Sequence, residues 1–230
     1  MKKEDFIKNF SRDKVLGSVI FDKIRIAKKS GKVIYSNEFY SPDVWKFVLG
    51  SSNEFELNIY SFGVFEEAER RMLCFSNESL SEFNYPLCIV KISNKSRFHE
   101  LKHKDYLGAV MSLGFKREKL GDFVVSDNCC FFPASTDICS FICDNLNKIG
   151  NCPCDVEVID NVEDIELNHN FKKLNIIAAS LRLDCVICKM CGISRSRGEN
   201  LIEQRKVLID YFPEESKDKL VNAQSVITIR

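Results

Sequence analysis

Along residues 3–29, Phe6, Ile7, Phe10, Val15, Leu16, Val19, Ile20 and Ile24 recur at helical spacing. A period near 3.6 residues marks a helix with one buried face, so this stretch reads as one amphipathic helix or two shorter ones. Ser41-Pro42-Asp43 joins a capping residue to a proline in the first turn, which predicts a helix to about Leu49, followed by Gly50. Trp45 and Phe47 are its expected core anchors. Residues 55–62 and 70–75 then read as two strands joined by a loop over 63–69. From Tyr85 the order is a strand over 87–92, a helix over 103–113 stopped by Gly114, and a hairpin. The hairpin pairs 122–126 with 129–132 around Asp127-Asn128. A helix over 135–149, capped by Ser135 or Thr136 and stopped by Gly150, leads to a strand over 155–159. This β-α-β-β-α-β order is the ferredoxin-like one.

Towards the C-terminus, Leu183, Val186, Ile187 and Met190 again have helical spacing, and Gly192 can end that helix in a left-handed conformation. Ser194 can cap a second helix, which meets the core through Leu201 and Ile202. Val207 and Ile209 alternate with Leu208 and Asp210 as in a strand. The expected fold class is α+β. A helical and β N-terminal domain spans 1–82, the ferredoxin-like domain 83–160, an acidic linker 161–174, and a C-terminal module of two helices and strands 175–230.

Charge modifies this picture locally. The 33 Lys and Arg balance the 33 Asp and Glu, so the sum does not advertise a nucleic-acid binder. Residues 1–32 nevertheless hold ten Lys or Arg against four acids, and residues 155–171 hold six acids and no Lys or Arg. Local patches determine a phosphate footprint. No apolar run reaches the roughly 18 residues of a membrane span, and the start lacks the apolar stretch of a signal peptide. The eleven cysteines read as reduced thiols of a cytoplasmic chain.

The candidate chemistry gathers at the start of the second C-terminal helix. Its first N–H groups have no partner within the helix, and the dipole favours an anion there. Arg195 and Arg197 occupy that turn, where cations are unfavourable unless a phosphate comes to rest beside them. Arg182 lies before the first helix, and Arg205 and Lys206 follow the second. Lys116, Arg117 and Lys119 form another basic spot at a helix C-terminus, where they also complement the dipole.

The order R-L-D, helix, G-I-S-R, L-I, basic turn and strand resembles the S-four (alpha-L) RNA-binding module. That resemblance implies Arg182, Asp184, Ser194, Arg195 and Arg197 as RNA-facing or motif-defining positions. Relatives often have Gly where Arg205 stands, V-N-G or V-N-W at Ile209-Asp210-Tyr211, and G-D at Gln224-Ser225. They commonly continue past the position of Arg230. The stretch from His103 to Asp122 is similar to the H-[RK]-D-x-L-G-x-x-x-x-L-G-x-K-R-x-K-x-G-D pattern of the YlmH family of bacterial RNA-binding proteins. The stretch from Phe62 to Arg70 matches that family's F-G-G-Y-x-x-A-E-R block, with Val64 at its second Gly. The resemblance implies a cytoplasmic bacterial protein that binds structured RNA, ribosomal RNA or tRNA, at the large ribosomal subunit. It also implies a link to the rescue of stalled translation.

Other chemistries have weaker signals. Cys185, Cys188 and Cys191 form C-x-x-C-x-x-C, which could seed a metal site with Cys152 or Cys154, but a helix would carry successive thiols around its axis. No metal or cofactor is expected. Glu66, Glu67 and Glu69 face Arg70 and Arg71 as neutralising neighbours. No Walker loop, dinucleotide fingerprint or nucleophile elbow is present. The reading is a monomeric, non-enzymatic RNA-binding protein. The alternatives are an RNA-modifying enzyme using a carboxylate such as Asp105 or Asp122, a redox or metal protein built on the cysteines, and a protein scaffold.

Overall fold

The N-terminal apolar repeat becomes two helices, α1 (Lys3–Asn9) and α2 (Lys14–Ser30), in a computed structural model that describes residues 1–10, 13–160, 173–223 and 225–230. Asp13 caps α2 by accepting from the Val15 N–H at 2.7 Å, and Gly31 ends it at φ 67°. β1 (Ile34–Tyr40) follows, then α3 (Pro42–Gly50), the single turn α4 (Ser52–Phe55), β2 (Asn58–Phe62) and β3 (Arg71–Ser76). The sequence pattern did not reveal β1. Its middle is polar, Asn37 has φ 59°, and the pairing register shifts between Tyr35 and Phe39, so the alternation is broken where it would be read. The strand expected from 55 begins at Asn58 because Ser52–Phe55 closes a helical turn and Glu56 turns left-handed.

These strands form an antiparallel sheet in the order β1-β3-β2. Phe6, Ile20, Ile24, Val48, Leu73 and Phe75 build the core between helices and sheet. Phe47 joins it, 5.3 Å from Phe6 between ring centroids. Trp45 packs at its margin, with its indole N–H donating to the Glu69 carbonyl.

The second sheet comprises β4 (Leu87–Asn94), β5 (Val124–Ser126), β6 (Cys129–Ser135), β7 (Lys148–Ile149) and β8 (Cys152–Ile159), with α5 (His103–Met111) after β4 and α6 (Thr136–Asn145) after β6. Its order is β5-β6-β4-β8-β7 with every neighbouring pair antiparallel, so the ferredoxin-like arrangement is present with a small extra edge strand. Asp127 and Asn128 both have positive φ, as the two-residue hairpin turn requires. The helix expected over 135–149 ends at Asn145. Leu146 is extended, and Lys148–Ile149 turns through Gly150 to pair with β8. Cys88 on β4 and Cys139 on α6 are joined as a disulfide, which corrects the expectation that all eleven cysteines are thiols.

The described chain divides into two compact units, Met1–Asn168 and His169–Arg230. Both sheets above belong to the first. Residues 161–172 of the acidic linker lie outside the described residues. The second unit contains α7 (Leu183–Cys191), α8 (Arg195–Glu203), β9 (Val207–Ile209), β10 (Phe212–Pro213) and β11 (Ile227–Ile229), with sheet order β10-β9-β11. Its core is small: Leu183, Ile187, Ile202 and Val207, edged by Ile193, Leu201 and Ile227. Met190, expected on the buried face, is exposed, and Asp210 lies in the β9–β10 turn, not in the strand.

Candidate nucleic-acid interface

In the C-terminal unit, Gly192 closes α7 at φ 64°, and the Ser194 side chain caps α8 by accepting from the Arg197 N–H. This tight turn brings the start of α8 back to the start of α7. Asp184 stands there with no exposed surface. Its carboxylate accepts from Nε and one Nη of Arg182, at 3.1 Å each, and from Nε and one Nη of Arg195, at 3.0 and 2.7 Å. The Cys185 N–H adds a fifth bond at 2.9 Å. Hydrogen bonding from Arg182, with that from Arg195, holds the Asp184 carboxyl well below the ordinary carboxylate range despite the opposing effect of burial. Both arginines are raised in turn, first of all by the bond to Asp184.

Each guanidinium therefore lies side-on to one carboxylate and keeps a second edge directed elsewhere. Arg182 also pairs with Asp218, Arg195 with Glu199, and Lys217 with Glu199. The three cations are thus matched by three acids. Arg197 and Lys206 are exposed and have no ion pair among the described residues. Arg205 pairs with Glu215 and has φ 57°, at the turn position where relatives often carry Gly. The candidate residues of this unit accordingly fall into two groups. Arg182, Asp184, Ser194 and Arg195 are drawn together, whereas Arg205 and Lys206 follow α8 at its other end. The partners Glu199 and Asp218 were not anticipated, although the four-residue spacing of Arg195 and Glu199 on a helix was a legible signal.

The basic spot of the first unit is organised differently. Arg117 is half-buried and donates to the carbonyls of Leu120 and Gly121 at 2.6 and 2.9 Å. Burial, followed by the neighbouring Arg70 charge, pulls it down to about 10. Lys119 bonds to Asp137 at 2.7 Å, and Lys116 is exposed. Arg70 donates to the Phe39 and Leu120 carbonyls, joining the two sheets of the unit. The carboxylates nominated for chemistry also have bonded oxygens. Asp105 accepts from the Lys102 N–H at the start of α5, and Asp122 accepts from the N–H groups of Glu69 and Arg70. On the ferredoxin-like sheet, Phe132 is buried and stacked on Phe123 at 4.1 Å. Phe131 faces the other way, in register with Lys91, which bonds to Glu157 at 2.9 Å.

Cys188 packs against Gly198 and donates to the Ser194 carbonyl, and burial raises its thiol. Among the described residues, no group of three or more His, Cys, Asp or Glu is placed to hold a metal ion. None of the described helices is long and apolar enough to cross a membrane.

With this geometry in place, the class is an α+β protein whose ferredoxin-like region is similar to a described family: residues 80–163 match "Putative RNA-binding domain in YlmH". The chain is YlmH-like. It is 24% identical over 201 residues, 84% of this chain and 76% of the relative, to "Ribosome-associated protein quality control protein P2" of Bacillus subtilis (strain 168). The solved "Cell division protein ylmH from Streptococcus pneumoniae" shares its fold, with a TM-score of 0.53 at 22% identity over 70% of this chain and 93% of that one. The family match falls on the middle of the chain. In the sequence, by contrast, the candidate chemistry gathers mainly at the start of the second C-terminal helix.

Proposed function

We propose that this chain is a non-catalytic RNA-binding protein that holds structured RNA, ribosomal RNA or tRNA, at the large ribosomal subunit in the cytoplasm, and acts in the rescue of stalled translation. The match of residues 80–163 to the YlmH RNA-binding domain carries this reading. The name of the Bacillus relative supports the ribosomal setting.

In the C-terminal unit, the side-on bonds to Asp184 hold the guanidinium planes of Arg182 and Arg195 before any ligand arrives. Their outer edges, together with Arg197 in the first turn of α8, form the phosphate grip, with Lys206 further along the chain. In the first unit, Lys116 and Lys119 are the phosphate contacts. There Arg117 acts mainly by shaping the turn that presents them. Such donors read the backbone and shape of folded RNA more than its base sequence.

The test is sedimentation with purified ribosomal subunits across a salt series. Co-migration with the large subunit, lost as salt rises and weakened in Arg195→Ala/Arg197→Ala, is the expected result. A protein that stays at the top of the gradient even at low salt overturns the ribosomal reading.

A further inference from the structure

From the end of β4 into the first turn of α5, the run Lys95-Ser96-Arg97-Phe98-His99-Glu100-Leu101-Lys102-His103-Lys104 holds four Lys or Arg against one acid. Lys95 pairs with Asp155, whereas Arg97, Lys102 and Lys104 are exposed and have no ion pair among the described residues. In their midst the Phe98 side chain is 91% exposed. An isolated surface phenylalanine needs no explanation. This one is held outward by a local hydrogen-bonded frame. The Asn94 side chain donates to the His99 carbonyl at 2.8 Å and accepts from the Ser96 N–H at 2.9 Å. The Ser96 hydroxyl accepts from the N–H groups of Phe98 and His99. The Lys95 N–H is bound to the Pro153 carbonyl, which ties the loop to the neighbouring strand. An aromatic face is thus displayed at low entropic cost among cations, inside the segment that matches an RNA-binding domain.

We propose that this loop is a contact for unpaired RNA: a nucleobase stacks on the Phe98 ring while Arg97, Lys102 and Lys104 take the flanking phosphates. Every base offers a π-face, so the contact tolerates sequence, and the cations select a polyanion over an apolar peptide. It lies apart in sequence from the Asp184 grip and handles single-stranded RNA where that grip handles folded backbone. It rests on the reading of the chain as an RNA binder.

The probes are a labelled 12-nucleotide oligo(U) RNA and a fully paired RNA duplex of the same length, each titrated against the full chain. Phe98→Ala is expected to weaken oligo(U) binding roughly tenfold and leave duplex binding unchanged. Phe98→Trp is expected to retain affinity, with the added indole's fluorescence quenched as oligo(U) binds. Replacing Arg97, Lys102 and Lys104 together by Ala should lower the salt dependence of log K by about two units. Because the ring is in solvent, its removal leaves the fold intact, and an unchanged circular dichroism spectrum verifies this. Oligo(U) binding equal in wild type, Phe98→Ala and Phe98→Trp, with no quenching, overturns the loop proposal. If ribosomal RNA binding still depends on Arg195 and Arg197 in that case, the RNA-binding reading stands without the loop. A wild-type chain that binds none of these RNAs overturns both.

Discussion

Asp184 has no surface in water, yet it is surrounded by charge. Its carboxylate takes four N–H bonds from two arginines and one from the main chain, so its desolvation is offset by donors that are themselves charged. Because its folded-state proton affinity is depressed, the stability it contributes is present above the ordinary carboxylate range and is lost as pH falls below about 4. Asp184→Asn leaves two guanidiniums around a neutral amide that cannot accept all five bonds. The expected outcome is a loss of about 3 kcal/mol from the C-terminal unit, together with loss of its acid-dependent destabilisation. Hydrogen exchange of the α7 and α8 amides between pH 6 and pH 3 measures both. Two other residues show how a sequence departure becomes local strain. Val64 stands where the YlmH block that this stretch resembles has glycine and has φ 72°, and Arg205 stands where S-four modules often have glycine and has φ 57°. Left-handed backbone is unfavourable for both, and most of all for β-branched Val64.

At the scale of elements, the C-terminal unit depends on how closely α7 and α8 approach. Gly198 is buried in α8, and a Cβ there would stand 2.9 Å from the Cys188 Sγ on α7. Alanine would otherwise favour the helix by about 1 kcal/mol. Gly198→Ala alone is therefore expected to destabilise the unit by about 1 kcal/mol, because steric crowding exceeds the gain in helix propensity. Adding Cys188→Ala, which removes the sulfur, should restore or exceed the wild-type value. A double-mutant cycle by urea denaturation reads the coupling, and additive single effects would disprove the contact. The same elements explain why C-x-x-C-x-x-C does not behave as a unit. Cys185 and Cys188 are half-buried, whereas Cys191 is exposed at the end of α7. In the ferredoxin-like sheet, by contrast, apolar alternation, the Asp127-Asn128 turn and the helical repeat of 103–113 all pointed to the elements that form. The exception was the tail of α6, where apolar Ile149 fitted a helix and a strand equally well, and pairing with β8 decided it.

Across the first unit, the two sheets are tied by charged side chains that bond to main-chain groups. Asp122, ahead of β5, accepts from the Glu69 and Arg70 N–H groups at 2.6 and 2.9 Å. Arg70 reaches back to the Leu120 and Phe39 carbonyls. Gly121 packs against Pro133 and Phe39, so there is no room for a side chain there. Asp122→Ala removes an ionised acceptor from two amides. It is expected to cost about 2 kcal/mol, seen as a lower urea midpoint with unchanged slope and faster exchange at Glu69 and Arg70. An unchanged midpoint would show that Asp122 does not join the sheets.

The pattern of apolar positions, caps and turns determined the α+β class, the order of the ferredoxin-like strands and helices, and the C-terminal helix–turn–helix. All of these follow from local periodicity and from backbone preferences of single residues. The R-L-D and G-I-S-R motifs also marked the residues that converge on Asp184 at the start of α7. Tertiary structure alone decided what each charge does. It made Asp184 a buried anchor for two arginines, tied Arg117 to carbonyls, brought Cys88 to Cys139, and left Phe98 in water among cations. Partners distant in the chain and the degree of burial set those outcomes, and neither is encoded in the spacing of neighbouring residues.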